Sequence, residues 1–453
     1  MSNKVTTKYP FTGETIKEYS LYTDKEVDNI LIKANDTFLE WRKTSMKERK
    51  SLLEELANVL ENEKEMYANL ITQEMGKPYK ESIAEIDKCI WLINFYEKNA
   101  EDFLSDELIQ TDAQESFISY DPLGTILAIM PWNYPFWQVF RFAVPTLTAG
   151  NTALLKHANN VTGCALAIQD IFESAGFPKG VFQTLLASHN QIEQVINNEI
   201  VKAVSLTGSE KAGRAIAKIA GHNLKKTVLE LGGNNACIIL KDADLDKYME
   251  TIVKARMQNT GQSCIAAKRF IVVEEIYDRF LEKFKEGVAA LMFGEPLDPK
   301  TDIATMARVD LAEEVERQVT ESVEKGAKVI VGNKRDKAYF EPTILINVEP
   351  GMPVFDEEVF GPVAAVVKAK STNHAVELAS KSKFGLGTMI FTEDREEARK
   401  LISSIEDGAF FVNELVKSDP RLPFGGTKLS GYGRELSKEG IMEFVNKKTV
   451  YIK

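Results

Sequence analysis

Cysteine is scarce in this chain. Four residues among 453 cannot build a disulfide framework at this length, so reduced thiols and a cytoplasmic setting are expected. Long apolar runs are missing as well. No stretch reaches 18 apolar residues, which excludes a hydrophobic spanning helix. The opening, MSNKVTTKYPFTGE, lacks the apolar core of a secretory signal. There is no basic excess: the net charge of −11 argues against a nucleic-acid binder. The dinucleotide pattern G-x-G-x-x-G is absent too. TGSEKAGRA spaces Gly208 and Gly213 like a P-loop, yet Arg214 and Ala215 stand where Lys and Ser/Thr are required, which argues against a Walker-type NTPase. No internal repeat or low-complexity segment occurs, and no metal site is expected.

What remains is an ordinary globular composition, 44% hydrophobic and 27% charged, in a chain long enough for two or three domains. Residues 45–104 have helical periodicity. Leu52, Leu53, Leu56, Val59 and Leu60 form one apolar face, and Ile83, Ile86, Ile90 and Ile93 another. From about residue 125, strand-length runs such as TILAIM, TALLKH and VKAVSLTG alternate with helical segments. That alternation predicts a parallel sheet covered on both faces. A second α/β series begins at RFIVV and runs to GAFFVN. The expected fold is therefore α/β, with two sheets and a crevice between them. ESFISYD and KKTVYIK read as strands outside both series that could pair into a small extra sheet with an edge for another subunit.

Three positions carry chemical promise. NTGQSC puts Cys264 on a turn between a helix and a strand, away from aliphatic neighbours. There it is a candidate nucleophile whose thiol nearby N–H dipoles can lower. Cys89, Cys164 and Cys237 fall inside helices or a strand and read as packing. TVLELGGNN ends an apolar strand on Glu230, a carboxylate that is either salt-bridged or a general base with a raised pKa. MPWNYPFWQ holds Asn133 between Trp132 and Tyr134, where a rigid amide can serve an oxyanion hole. The turn at Gly208 and Ser209 opens a helix and reads equally well as a phosphate site or as a simple N-cap.

Together PWNYP (131–135), LTGS (206–209), ELGG (230–233), NTGQSC (259–264), EEVFGP (357–362) and PFGGTKLSGYGRE (423–435) resemble the aldehyde dehydrogenase superfamily along the whole chain. The resemblance implies a Rossmann-type cofactor domain (1–103 and 123–232), an α/β catalytic domain (233–431) and an oligomerisation sheet (104–122 and 432–453). A homodimer or homotetramer follows from it. It also implies roles: Cys264 as nucleophile, Glu230 as base and Asn133 as oxyanion amide. Trp132, Lys156, Gly208, Ser209, Glu358 and Phe360 would line the cofactor site. The cofactor is NADP or NAD. Asn159 stands where NAD-preferring relatives often carry a Glu, so the repulsion of a 2′-phosphate is missing and NADP is expected to be preferred. His157 is a further donor beside it.

The substrate expected from the resemblance is succinate semialdehyde or a similar carboxylated aldehyde. Arg141 and Ser418 match carboxylate-binding positions of succinate-semialdehyde dehydrogenases, and SDPRLPFGG is similar to their short bacterial members. Gln258 replaces that group's second arginine, which leaves Arg256 and Arg421 as compensating candidates. Three other readings stay open: a broad-specificity aliphatic or aromatic aldehyde dehydrogenase with Arg141 as a structural ion-pair residue, a CoA-acylating enzyme, and a non-enzymatic protein that keeps the fold.

Overall fold

The structure is a computed structural model, and it describes residues 4–453. Its frame is two twisted sheets. The first has six strands in the spatial order Gly431–Tyr432, Lys226–Glu230, Val201–Thr207, Thr125–Met130, Thr152–His157 and Phe182–Thr184. All neighbours pair in parallel except Gly431–Tyr432, which runs antiparallel to Lys226–Glu230. The second has seven, in the order Lys328–Val331, Thr343–Ile346, Val363–Ala369, Ala267–Val273, Asn235–Ile239, Thr388–Phe391 and Phe410–Val412. The central strands are continuous apolar runs because helices cover both faces, as in Asn235–Ile239, buried throughout. The alternation in the sequence is thus realised as two doubly covered sheets.

The long helix Tyr79–Leu104 buries Ile86, Cys89, Leu92, Ile93 and Tyr96. It packs against Met46–Asn62 and against Trp137–Thr148, whose twelve residues are all buried. The N-terminal helix Asp24–Trp41 starts on a full capping box, with Thr23 and Glu26 bonding each other's backbone N–H groups. The two stray strands do pair: Glu115–Pro122 and Val445–Ile452 run antiparallel from Ile452 opposite Glu115 to Val445 opposite Pro122. With Glu107–Leu108 they make a separate three-stranded sheet. Among the described residues, no helix is long and apolar enough to cross a membrane.

Candidate active site

The nucleophile candidate sits where the helix Leu245–Met257 ends and the strand Ala267–Val273 begins. The connection is tightly wound. Asn259, Thr260 and Gly261 all have positive φ, at 57°, 52° and 71°. A left-handed β-branched Thr260 is costly and persists only where its surroundings fix it. Here they do. Asn259 donates its backbone N–H to Glu81 at 2.8 Å and its side-chain amide to the carbonyls of Asn133 at 2.8 Å and Gln262 at 3.0 Å. Gly261 lies against Gly361, with no room for a Cβ. After the turn, Lys268 donates from Nζ to the carbonyls of Ser263 and Cys264, both at 2.7 Å.

Cys264 is half-buried, whereas Cys89, Cys164 and Cys237 are fully buried, in keeping with packing roles. Its thiol departs from expectation. Burial pushes it up to about 11, with Lys268 and Arg141 pulling the other way. The expected lowering by backbone dipoles is outweighed because the turn is packed away from water. Asn133 comes to the same turn. Its Nδ2 donates to Gln262 O at 3.1 Å, which leaves the second N–H of the amide for another acceptor. Glu230 is buried, and both carboxylate oxygens lack a hydrogen-bond partner. Burial and then the neighbouring Glu435 raise its pKa well above the usual carboxylate range, against Arg141 and Arg434. Among the described residues it has no salt bridge, so the structural reading of Glu230 finds no ion pair to rest on.

A cavity of about 190 Å³ opens at Cys264 and contains Arg141 and Ser418 in its wall. Arg141 is already engaged. Its Nε faces Glu435 Oε2 in a buried ion pair, its Nη2 donates to Thr207 at 3.3 Å, and its guanidinium lies 4.7 Å from the Phe424 ring centroid. The compensating arginines do not reach the cavity. Arg256 is fully buried and holds the carbonyls of Gly261, Gly361 and Ala267, while Arg421 forks onto Asp419 from the surface.

On the other side of Cys264, Glu358 accepts from Gly233 N–H at 3.0 Å and lies 3.4 Å from Lys268. Trp132 and Phe360 meet edge to face at 5.8 Å. Beyond them a groove of about 730 Å³ runs past Lys156, Asn159 and Gly208. Lys156 has only neutral oxygens around it, His157 O at 2.5 Å and Asn159 Oδ1 at 3.0 Å, and burial brings its ammonium down to about 8. Ser209 caps the helix Glu210–His222, accepting from Ala212 N–H at 3.3 Å. His157 is no donor for this groove. It is buried with its ring nitrogens on Met130 O at 3.1 Å, Pro135 O at 2.9 Å and Ala158 N–H, and burial lowers its pKa to about 4.

The family model for the aldehyde dehydrogenase family matches residues 1–450. The chain belongs to the aldehyde dehydrogenase family. It is 46% identical over 451 residues to a probable NADP-dependent succinate-semialdehyde dehydrogenase of Synechocystis, covering 99% of each chain. It is likewise 46% identical over 454 residues to succinate-semialdehyde dehydrogenase [NADP(+)] 1 of Mycobacterium tuberculosis, again with 99% of each covered. Among solved structures, succinic semialdehyde dehydrogenase from Streptococcus pyogenes with NADP+ superposes with a TM-score of 0.97 at 37% identity, covering 99% of both chains.

In this aldehyde dehydrogenase three polar residues close to the site are not singled out as site residues by the motifs, although Glu435 closes PFGGTKLSGYGRE. Lys268 braces the Cys264 turn, Glu435 pairs with Arg141, and Lys88 lines the cavity from the helix Tyr79–Leu104. The signal for the last was present. Glu81, Glu85 and Lys88 recur at helical spacing, and the side from which they project faces protein: Glu85 pairs, fully buried, with Lys77 from the turn before the helix, and also accepts from the N–H groups of Phe136 and Trp137.

Proposed function

We propose that this aldehyde dehydrogenase oxidises succinate semialdehyde to succinate, with NADP as the preferred hydride acceptor. The observation that carries the reading is the single cavity joining Cys264 to Ser418, Arg141 and Lys88, so that a thiol and cationic side chains share one small space. The curated relatives at 46% identity support it by name. The groove fits NADP. Lys156 is a cation with no carboxylate partner among the described residues, and Asn159 offers a neutral amide where a Glu would repel a 2′-phosphate. On this reading the half of the chain around the six-stranded sheet (1–103, 123–232) holds the cofactor, and 233–431 supplies the nucleophile. The 104–122 and 432–453 segments offer a sheet edge for self-association.

The chemistry uses the residues in order. Cys264 thiolate adds to the aldehyde carbon, and the free N–H of Asn133 with the backbone N–H of Cys264 hold the oxyanion. When bound, NADP supplies the hydride acceptor through which the adduct becomes a thioester. Glu230 then takes a proton from water, the hydroxide attacks the thioester, and the C–S bond breaks to release the acid and the thiolate. Glu358, anchored on Gly233, faces the cofactor side of the turn. The test is kcat/KM for succinate semialdehyde and butanal, each with NADP and NAD. A clear preference for the acid aldehyde and for NADP is expected. Equal efficiency on both aldehydes would leave the broad-specificity reading.

A further inference from the structure

Glu81 and Glu85 line the cavity, Glu81 accepting from Asn259 N–H and Glu85 paired with Lys77, and its wall carries three cations, Lys88, Arg141 and Lys417. Two of them are matched. Arg141 faces Glu435, and Lys417 reaches Glu414 at 3.0 Å. Lys88 has no carboxylate within 4 Å among the described residues. Its Nζ donates to Ser418 Oγ at 2.8 Å and stands 4.2 Å from the Trp137 ring centroid. A neutral hydroxyl and a ring face hold this ammonium in place without cancelling its charge. Two features beside it suit an anion. Ser418 accepts from Lys88, so its own hydroxyl proton is free to be donated. Trp137 buries an indole N–H that has no acceptor among the described residues.

We propose that Lys88, acting with the Ser418 hydroxyl, is the group that recognises the distal carboxylate of the substrate, and that Arg141 shapes the pocket from its pair with Glu435. This rests on the carboxylated-aldehyde reading given above. It assigns the specificity charge to a different element, the helix Tyr79–Leu104, and to a lysine rather than to the arginine that the motif spacing singles out. Glu85 and Asp419 act on this ammonium from beyond ion-pair distance, so an entering carboxylate is its direct counter-charge. An uncharged aldehyde of the same length leaves it unmatched.

The experiment compares wild type, Lys88→Met, Lys88→Gln and Lys88→Arg on succinate semialdehyde and butanal. The ratio of kcat/KM between the two aldehydes is the readout, with folding checked by thermal unfolding. Lys88→Met is expected to lower that ratio about 100-fold, mainly through KM for succinate semialdehyde. Lys88→Arg is expected to recover a substantial part of it. Lys88→Gln keeps a polar head for Ser418 and reads the loss of charge if Met disturbs packing. A ratio within about threefold of wild type in the neutral variants would overturn the role of Lys88 and leave the substrate reading standing. Equal losses on both aldehydes, unrelieved by Arg, would make Lys88 a structural residue and also overturn it. A wild type with no preference for succinate semialdehyde would defeat the substrate reading, and the proposal with it.

Discussion

At the scale of single residues, the site sets a thiol and a carboxyl against their ordinary ionisation. Cys264 is held up to about 11 by burial, so its thiolate fraction grows with pH across the whole range up to that value. Iodoacetamide should therefore alkylate the cofactor-free enzyme about tenfold faster per pH unit between 7 and 10, with no plateau near 8.5. A plateau there would show an ordinary exposed thiol. Cys264→Ala should lower kcat by at least ~10³-fold while leaving thermal unfolding nearly unchanged. As the proposed base, Glu230 acts only when deprotonated, and burial with the neighbouring Glu435 raises its pKa. The deacylation rate should accordingly go on climbing with pH above the usual carboxylate range. Glu230→Gln should give a burst of reduced nicotinamide and then slow turnover, read by rapid mixing. In the cofactor groove, Asn159→Glu should cut kcat/KM with NADP about tenfold or more and spare NAD, because a carboxylate would face the 2′-phosphate.

At the scale of elements, the turn before Cys264 is the most demanding feature. Gly261→Ala would place a Cβ 2.3 Å from Gly361 O at a φ of +71°. A cost above about 2 kcal/mol is expected in denaturant unfolding, together with loss of activity. The helix before this turn and the strand after it are legible from apolar periodicity, and Cys264 from its motif. The left-handed run at Asn259 and Thr260 is not, because Asn tolerates positive φ without requiring it, the β-branched Thr260 argues against it, and the fixing bonds come from Glu81 and Asn133, distant in sequence. Lys88 escapes for a related reason. On a long helix a charged residue looks solvated until the opposing wall is known. The helix Asp24–Trp41 and the hairpin of Lys4–Lys8 with Thr15–Ser20 are also easy to pass over, since they carry no site motif. Arg141 shows the reverse problem. The resemblance implies that it is a carboxylate ligand, whereas its pairing with Glu435 comes from the far end of the chain.

At the scale of the whole molecule, that pairing ties two ends of the sequence together at the site. Arg141→Ala would leave Glu435 buried and unpaired beside Glu230. It should destabilise the protein by about 3–5 kcal/mol and depress activity on acid and neutral aldehydes alike. Urea unfolding and kinetics on both aldehydes check this, and a selective loss on succinate semialdehyde alone would argue that Arg141 itself binds the carboxylate. The edge strand Val445–Ile452 offers unpaired backbone groups on one side, and an oligomer measured by light scattering is the outcome expected of such an edge. The C-terminal segment does more than offer an edge. Phe424 carries Arg141 and lines the cavity, Gly431–Tyr432 borders the six-stranded sheet next to Glu230, and Glu435 completes the ion pair. A ribosome delivers all three long after Cys264. While the chain is still attached, its thiol exists without a finished pocket around it. Chains stalled after Leu429 should be inactive and should react with iodoacetamide at neutral pH much faster than the released protein, whose last residues shut the site.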